Sequence, residues 1–329
     1  MDLPGFSLDM ASLQESPRPD ADETYDVLIL GGGPASMSAA VYAARKLLKT
    51  AILTRDFGGQ MLETSEIENW LGAQSIHAKD LISQFEEHVK SFEVPVLEGQ
   101  SITGIKKEDD LFKITMDSGE VYTGKSVILT TGKRHRPLGV PGEKELGGKG
   151  VAYCATCDAP FFKDKRVAIA GGGNSAFTTA LDLLKANARV SLINFIPGWQ
   201  ADEFIRQQVD KYEKSALYDN HQVVEIQGAD KVEAVKIKDR STGEEKTIEV
   251  DGVFVEIGLL PNSELVKGLV DMTDSGEVVV DCSCRTSLEG FFAAGDVTTV
   301  PHKQIIISAG EGAKAALSAY SYLVNKFQL

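Results

Sequence analysis

Two short stretches constrain this chain more than any others, because each repeats the order strand, glycine loop, helix, strand. The first runs from the apolar segment Asp26–Leu30 through Gly31-Gly32-Gly33-Pro34-Ala35-Ser36 into a helical pattern over Met37–Lys49 and a strand at Ala51–Thr54. The second runs from Arg166–Ala170 through Gly171-Gly172-Gly173-Asn174-Ser175-Ala176 into a helix over Phe177–Ala186 and a strand over Arg189–Asn194. A lone glycine triplet is a weak signal. Between a buried strand and a helix start it becomes a dinucleotide fingerprint. Gly31 permits the tight turn, and Gly33 lets the backbone approach a pyrophosphate at the helix N-terminus. Ser36 is small enough for close helix–strand packing. With first glycines 140 positions apart, the two loops cannot belong to one sheet counted twice. The expected fold class is α/β, with two doubly wound, Rossmann-like nucleotide-binding domains.

The remaining segments fill in this plan. An acid that would bind a ribose is missing at the end of the first unit's second strand, where Thr54 and Arg55 stand, and this counts against plain NAD at that site. Gly58-Gly59-Gln60 and Glu66–Trp70 follow, then a helix over Lys79–Phe92. Alternating segments near Ile102–Ile105, Phe112–Met116 and Glu120–Tyr122 predict a meander, and Ser126–Thr131 a buried strand ending in Thr130-Thr131-Gly132. Gly139–Gly142 is turn-rich and a candidate hinge. Near the end, Phe291–Asp296 is a strand running into Gly295-Asp296, followed by Gln304–Ser308 and a helix over Gly310–Asn325. An apolar strand there, with no new domain left to complete, predicts a return to the first domain and makes Asp296 a candidate partner for a ribityl hydroxyl.

Between the two loops lies Cys154-Ala155-Thr156-Cys157-Asp158. Cysteines three apart face one side of a helical turn, close enough for a small disulfide, and such pairs exchange electrons when one sulfur is held as thiolate. Half a zinc site and two buried bystander thiols are the alternatives. The position of the pair, just ahead of one dinucleotide motif and well after another, favours redox chemistry. Cys282 and Cys284, one residue apart, have poor chelate spacing and read as unreactive thiols in a strand.

Composition mainly excludes. The 329 residues are 43% apolar and 25% charged, with a formal net charge of −14. That charge argues against nucleic acid and anionic membrane as partners. No run approaches the roughly 18 apolar residues of a membrane span. Residues 1–23 show neither helical nor strand periodicity and predict a flexible tail without the features of a signal peptide. Four cysteines and no export signal predict a cytoplasmic protein.

As a set, Gly31–Ser36, Gly58-Gly59-Gln60, Glu68-Asn69, Thr131-Gly132, Cys154–Cys157 with Asp158, Gly171–Ala176 and Ala294-Gly295-Asp296 resemble the low-molecular-weight thioredoxin reductases over about residues 24–326. The stretch from Thr298 through Gln304 to Ile307, with Gly310-Glu311-Gly312, is also similar to the flavoprotein component of alkyl hydroperoxide reductase. The resemblance implies FAD in a discontinuous domain, 24–137 plus 264–329, with a second domain, 138–263, inserted in it and carrying the disulfide. It implies pyrophosphate on Gly31 and Gly33, the ribityl chain on Asp296, backbone at Gln304 facing the flavin's pyrimidine edge, and Asn69 near the isoalloxazine. Ser36, Gly59, Gln60, Gly132 and Gly295 complete the expected cofactor site. Cys157 would face the flavin, Cys154 would attack the partner's disulfide, and Asp158 would serve as acid or base. A thioredoxin-like protein substrate and a homodimer are implied too.

Departures from the family pattern bear on the electron donor. NADPH-using members follow the second unit's strand with His-Arg-Arg and a further Arg, whereas this chain has Asn194, Phe195, Ile196 and Gln200. A 2′-phosphate needs cationic, forked partners, which these side chains do not supply. Thr178 and Thr179 also replace two glutamates usual in the fingerprint helix. The expectation is therefore a donor other than NADPH, with ferredoxin as one candidate, and the resemblance is closest in type to the ferredoxin-dependent flavin thioredoxin reductases or to thioredoxin-reductase-like proteins of undefined donor. An NADH-dependent reductase feeding a peroxiredoxin system is the alternative. A flavin-binding sensor without turnover is the reading from another class, and Cys154, Cys157 and Asp158 speak against it.

Overall fold

The structure is a computed structural model that describes residues 16–63, 66–154 and 158–328. Cys157, central to the redox reading, lies outside the described residues. In chain order the first elements are β1 (Thr24–Leu30), α1 (Pro34–Arg45), β2 (Thr50–Leu53), β3 (Glu66–Ile67), β4 (Ile76–His77) and α2 (Ala78–Lys90). Then come β5 (Val96–Leu97), β6 (Ile102–Glu108), β7 (Leu111–Met116), β8 (Val121–Leu129), β9 (Lys133–His135) and β10 (Val151–Ala152). Next are β11 (Arg166–Ala170), α3 (Asn174–Lys185), β12 (Arg189–Ile193), α4 (Glu203–Val209), β13 (Ser215–Tyr218) and β14 (His221–Gln227). The last elements are β15 (Ala234–Asp239), β16 (Glu245–Glu249), β17 (Gly252–Val255), β18 (Leu259–Pro261), β19 (Phe291–Ala293) and α5 (Ile305–Phe327).

Two compact units result. One takes residues up to Gly59, Lys79–Gly132 and everything from Pro261 onward; the other takes Gln60–Ala78 and Lys133–Leu260.

In the first unit, β5-β2-β1-β8 form a parallel sheet in that order. β8 has two partners along one edge. Its N-terminal half pairs antiparallel with β7, and its C-terminal half, Val127–Leu129, pairs parallel with Phe291–Ala293 of β19. The apolar strand near the C-terminus thus completes the first unit's sheet, because its FFA run is buried on both faces, as a parallel strand must be. Helix α1 is rich in small residues, and Ala35, Ala39, Ala40 and Ala43 are buried in one core with Ala315, Ala316 and Ala319 of α5. Short side chains let the two helices approach closely.

The second unit is a five-stranded parallel sheet, β10-β17-β11-β12-β13, with β14-β15-β16 as a separate antiparallel sheet. Phe177, Leu183, Val190, Leu192 and Phe254 fill its core on one side, and Val223, Val235, Ile237 and Val253 on the other.

Several boundaries differ from the sequence reading for identifiable reasons. Helix α1 starts at Pro34 instead of Met37, because a proline with fixed φ suits the first helical position. Helix α5 starts at Ile305 instead of Gly310. Its first three residues are β-branched isoleucines of lowered helix propensity, yet packing overrides a weak propensity. Residues 16–23, expected in the flexible tail, are tied down: the Val96 N–H donates to the Pro17 carbonyl at 2.9 Å, and Arg18 pairs with Glu120 at 2.6 Å. Cys282 and Cys284 are not in a strand; Cys282 is exposed and Cys284 is buried at a left-handed φ of 61°.

Candidate active site

In a doubly wound sheet a ligand binds outside the carboxyl ends of the strands, where the strand order reverses. In the first unit that point lies between β1 and β8, since β2 and β5 extend the sheet on the other side of β1. Gly31 follows β1 directly with φ +123°, and a Cβ there would lie 2.6 Å from the Thr130 carbonyl at the end of β8. Gly32 is closed in as well, since its Cβ would meet the Asp56 carbonyl at 1.9 Å. A Cβ added at Gly33 would meet nothing within 4 Å, so the loop presents open backbone there. Gly33 is the N-cap of α1 and has no side-chain cap. The first N–H groups of the helix thus face outward as an anion site.

The C-terminal segment converges on the same place. Gly295 (φ +75°) would set a Cβ 3.1 Å from that of Ala35. Asp296, half-buried, accepts a hydrogen bond from Ser308 Oγ at 2.9 Å. Gln304 is the N-cap of α5, also without a side-chain cap. Gly312 passes so close to α1 that a Cβ would sit 2.0 Å from the Ala35 carbonyl. Ser36 is fully buried and its Oγ has no hydrogen-bond partner among the described residues. Two bare helix N-termini, glycines that cannot carry side chains and one positioned carboxylate fit the pyrophosphate and polyol of FAD.

The other expected cofactor residues divide between the units. Gly59, at a left-handed φ of 54°, opens a short 3-10 turn in the first unit, and its added Cβ would be 3.6 Å from Gly33 Cα. Gly132 (φ +65°) accepts the Asn262 N–H at 3.0 Å, while Thr131 Oγ1 donates to the Asn262 carbonyl at 2.7 Å. Gln60 and Asn69 belong to the second unit. Gln60 donates to the Lys133 carbonyl, and Asn69 is exposed between β3 and β4.

In the second unit the strand order reverses between β11 and β17. Gly171 (φ +148°) follows β11, and its Cβ would lie 2.3 Å from the Glu256 carbonyl, just past β17. Gly173 caps α3 with open backbone, as Gly33 does for α1. Cys154 stands two residues beyond β10, at the same end of this sheet, and is disulfide-bonded. The Asp158 N–H donates to the Cys154 carbonyl at 2.9 Å, the spacing of one helical turn. Nearby, Tyr153 stacks on His135 with ring centroids 4.7 Å apart, and burial pushes the His135 imidazole down to about 4.

The residues at the missing clamp are ordered by their own hydrogen bonds. Asn194 is buried, and its Nδ2 donates to the Gly198 carbonyl at 3.1 Å and to Asp219 Oδ1 at 2.9 Å. Gln200 also donates to the Gly198 carbonyl, and Asp219 Oδ2 accepts the Gly198 N–H. Phe195 and Ile196 are exposed. The sequence reading missed Arg240, whose guanidinium lies 3.9 Å over the Phe195 ring and donates to the Phe195 carbonyl at 2.8 Å. No spacing rule links residues 195 and 240, because the β15–β16 turn brings them together. Glu256 was missed as well; its carboxyl accepts a hydrogen bond from Thr179 Oγ1 at 2.9 Å.

Cys284 has no such setting. Its thiol donates to Glu311 Oε2 at 3.0 Å, and burial pushes its pKa up, so it stays protonated and inert.

Comparison with known proteins agrees with this geometry. The sequence profile of the family described as pyridine nucleotide-disulphide oxidoreductase matches residues 25–316. The chain is 43% identical over 318 residues to an alkyl hydroperoxide reductase component of Pseudomonas putida, covering 96% of this chain and 61% of that protein. It is 44% identical over 303 residues to the NADH dehydrogenase of Bacillus subtilis strain 168, covering 92% of this chain and 59% of that one. The chain thus spans about three fifths of the length of the curated relatives it matches. Among solved structures, thioredoxin reductase from Streptococcus pyogenes superposes with a TM-score of 0.86 at 35% identity, covering 92% of this chain and 99% of that one.

Proposed function

The chain belongs to the pyridine nucleotide-disulphide oxidoreductase family, and we propose that within it this protein is an FAD-dependent disulfide reductase fed by NADH and acting on a thioredoxin-like protein. The observation that carries the reading is Cys154, disulfide-bonded at the carboxyl end of the sheet that also presents the second bare glycine loop. FAD, when bound, accepts a hydride from reduced nicotinamide and passes the electron pair on to a disulfide. The chain's own residues do the rest. Gly31, Gly33 and the first turn of α1 bind the flavin's pyrophosphate, and Asp296 orients its polyol. Asp158 holds or gives a proton as the two sulfurs change state. Reduction of the Cys154–Cys157 disulfide takes two electrons and two protons. The Cys154 thiolate then attacks the partner's disulfide, expelling one partner sulfur, and Cys157 resolves the mixed disulfide.

NADH is favoured over NADPH by charge. The 194–200 loop carries no cation of its own, and one Nη of Arg240 is already engaged by the Phe195 carbonyl and, at 3.1 Å, by Asn220 Oδ1. A charged hydrogen bond is worth about 1.5–3 kcal/mol, so lacking two of them costs a 2′-phosphate several powers of ten in affinity. The relatives named for NADH chemistry support the same choice. Ferredoxin, the donor first expected from the missing clamp, would need a basic docking patch. Two basic clusters come into question, Lys133, Arg134 and Arg136 or Lys163, Lys165 and Arg166; in the second, Arg166 is paired with Glu249 and Asp251, and Lys165 covers Phe162. Anaerobic bleaching of the flavin by NADH, NADPH and reduced ferredoxin, compared side by side, tests the donor. Saturable bleaching by NADH at low concentration supports it, whereas bleaching by ferredoxin alone overturns it.

A further inference from the structure

Glu256 is an acidic residue placed where the second nucleotide crevice would receive its ligand. The Val253–Val255 run before it is fully buried, and the Glu256 N–H donates to the Ala170 carbonyl at 2.8 Å, which locks the residue to the end of β11. Its backbone shares the strand-order reversal with Gly171, the turn glycine of the loop. Its side chain lies against α3, where Thr179 Oγ1 donates to Oε1 at 2.9 Å and the nearby Ser175 hydroxyl also favours the charged carboxyl. Burial pushes the pKa of this group up, against the pull of both hydroxyls. A carboxylate offers about four acceptor sites, so these hydroxyls leave room for more.

The register decides which half of a dinucleotide would meet this carboxyl. A pyrophosphate on the Gly171–Gly173 loop divides the ligand at β11. One nucleoside extends over β12 and β13, toward the Asn194 loop, and the other extends over β17 and β10. Ala152 of β10 pairs with Phe254 of β17. Glu256 and Cys154 each stand two residues beyond that pair, on adjacent parallel strands. The side of the sheet that carries Glu256 is therefore the side that carries the redox sulfur, and electrons have to arrive there. The half on this side is the nicotinamide riboside, which brings hydrogen-bond donors: a carboxamide NH2 and two ribose hydroxyls.

We propose that Glu256, held by Thr179, is the residue that positions the nicotinamide half of the dinucleotide in the second unit. The inference rests on the reading that this unit binds a nicotinamide dinucleotide. It also accounts for Thr179, one of the two threonines in the fingerprint helix; Thr178 is exposed and donates to the Asn174 carbonyl. Thr179 Oγ1 touches the carboxyl itself, so a carboxyl delivered from the strand end fills the space that a longer acidic side chain on α3 would reach.

The test uses the flavin-loaded protein and two ligands. Anaerobic stopped-flow reduction over a range of NADH concentrations yields an apparent Kd and a limiting rate. Equilibrium titration with ADP-ribose, which lacks nicotinamide, reports the adenosine and pyrophosphate half alone. Glu256→Thr is expected to weaken NADH at least tenfold and to leave ADP-ribose within about twofold. The swapped variant Thr179→Glu/Glu256→Thr is expected to regain most of the NADH affinity, which a merely structural loss would not do. Equal weakening of both ligands by Glu256→Thr overturns the inference, as does unchanged NADH affinity. If the parent protein binds neither ligand, the nucleotide reading of the unit fails, and the inference fails with it. Should Glu256→Thr not fold, Glu256→Gln, which keeps the shape and loses the charge, carries the same comparison.

Discussion

Gly312→Ala is expected to damage the flavin cradle from a position that touches no ligand. A Cβ at 312 would stand 2.0 Å from the Ala35 carbonyl oxygen, 2.7 Å from its carbon and 2.9 Å from Ala35 Cα. Non-bonded carbon atoms are most favourably placed at about 3.5–4.0 Å, so α5 and α1 would have to part by roughly 1 Å or more. The obstacle is backbone in the first turn of α1, and no rotamer change can relieve it. Overpacking of this kind costs about 1–3 kcal/mol. The upper end applies because nothing flexible is available to yield. Alanine returns about 1 kcal/mol through its better helix propensity. The net loss is about 2 kcal/mol, which for a domain of 150–250 residues lowers the midpoint of thermal unfolding by roughly 4–8 °C. The displaced turn also presents the N–H groups of the anion site, so flavin retention falls with stability. Gly310→Ala is the internal control, since a Cβ there meets nothing within 4 Å and the substitution gains propensity only. The assays are the flavin-to-protein absorbance ratio of the purified variants and thermal unfolding followed by flavin fluorescence. Identical behaviour of the two variants would refute the packing argument.

Three further outcomes are expected. Cys157→Ser should uncouple flavin from disulfide, and Cys154→Ser should leave the flavin reducible while abolishing transfer to a thioredoxin; parental turnover by Cys154→Ser would reassign the attacking sulfur. Phe195→Arg/Ile196→Arg/Gln200→Arg should bring NADPH into saturable range in stopped-flow reduction, whereas rapid bleaching of the parent flavin by micromolar NADPH would show that no clamp was missing. His135 takes up a proton at about 4 in the folded state against 6.5 ordinarily. The unfolded chain therefore binds more protons between these values, and stability is present above pH 6.5 and lost as pH falls toward 4. Urea midpoints between pH 5 and 7 should show a shallower slope in His135→Gln, and an unchanged slope would place that imidazole in solvent.

Much of the fold was legible because it is written locally. A buried strand followed by glycines and a helix start needs only neighbouring residues, and both units are where that pattern puts them. The last strand was legible for a different reason: Phe291–Ala293 is apolar throughout, as a strand buried on both faces must be. Helix α5 was read short because the β-branched run Ile305–Ile307 lowers helix propensity locally, and only the core contributed by α1 overrules it. The candidate site was legible where backbone conformation demands one residue type, as at Gly31 and Gly171. It was not legible where partners arrive from distant elements. Arg240 reaches Phe195 across 45 positions, and Glu256 reaches Thr179 across 77. Neither pair leaves a periodic or motif signal.

The two units also show how one architecture is fitted for different tasks. At corresponding points, where the strand order reverses, the first unit follows β8 with Thr130 and the second follows β17 with Glu256. Thr130 Oγ1 donates to the Leu30 carbonyl at 2.9 Å, so its polar group is consumed inside the sheet and presents nothing to a ligand. Glu256 has the reach to turn out against α3 and remains an acceptor. The same contrast holds at the end of each second strand. Thr54 donates to the Asp56 carbonyl at 2.8 Å and closes its own turn. Asn194 holds Gly198 and Asp219, and so shapes the whole 194–200 loop. A loop that had drifted after losing its basic residues would have no reason to bury an asparagine with several partners. Within that loop the exposed Phe195 sits under Arg240, at the edge of the crevice opposite Glu256. Any preference against a 2′-phosphate in the proposed function therefore rests on the Asn194 loop, since NADH and NADPH carry the same nicotinamide half and Glu256 would meet both alike.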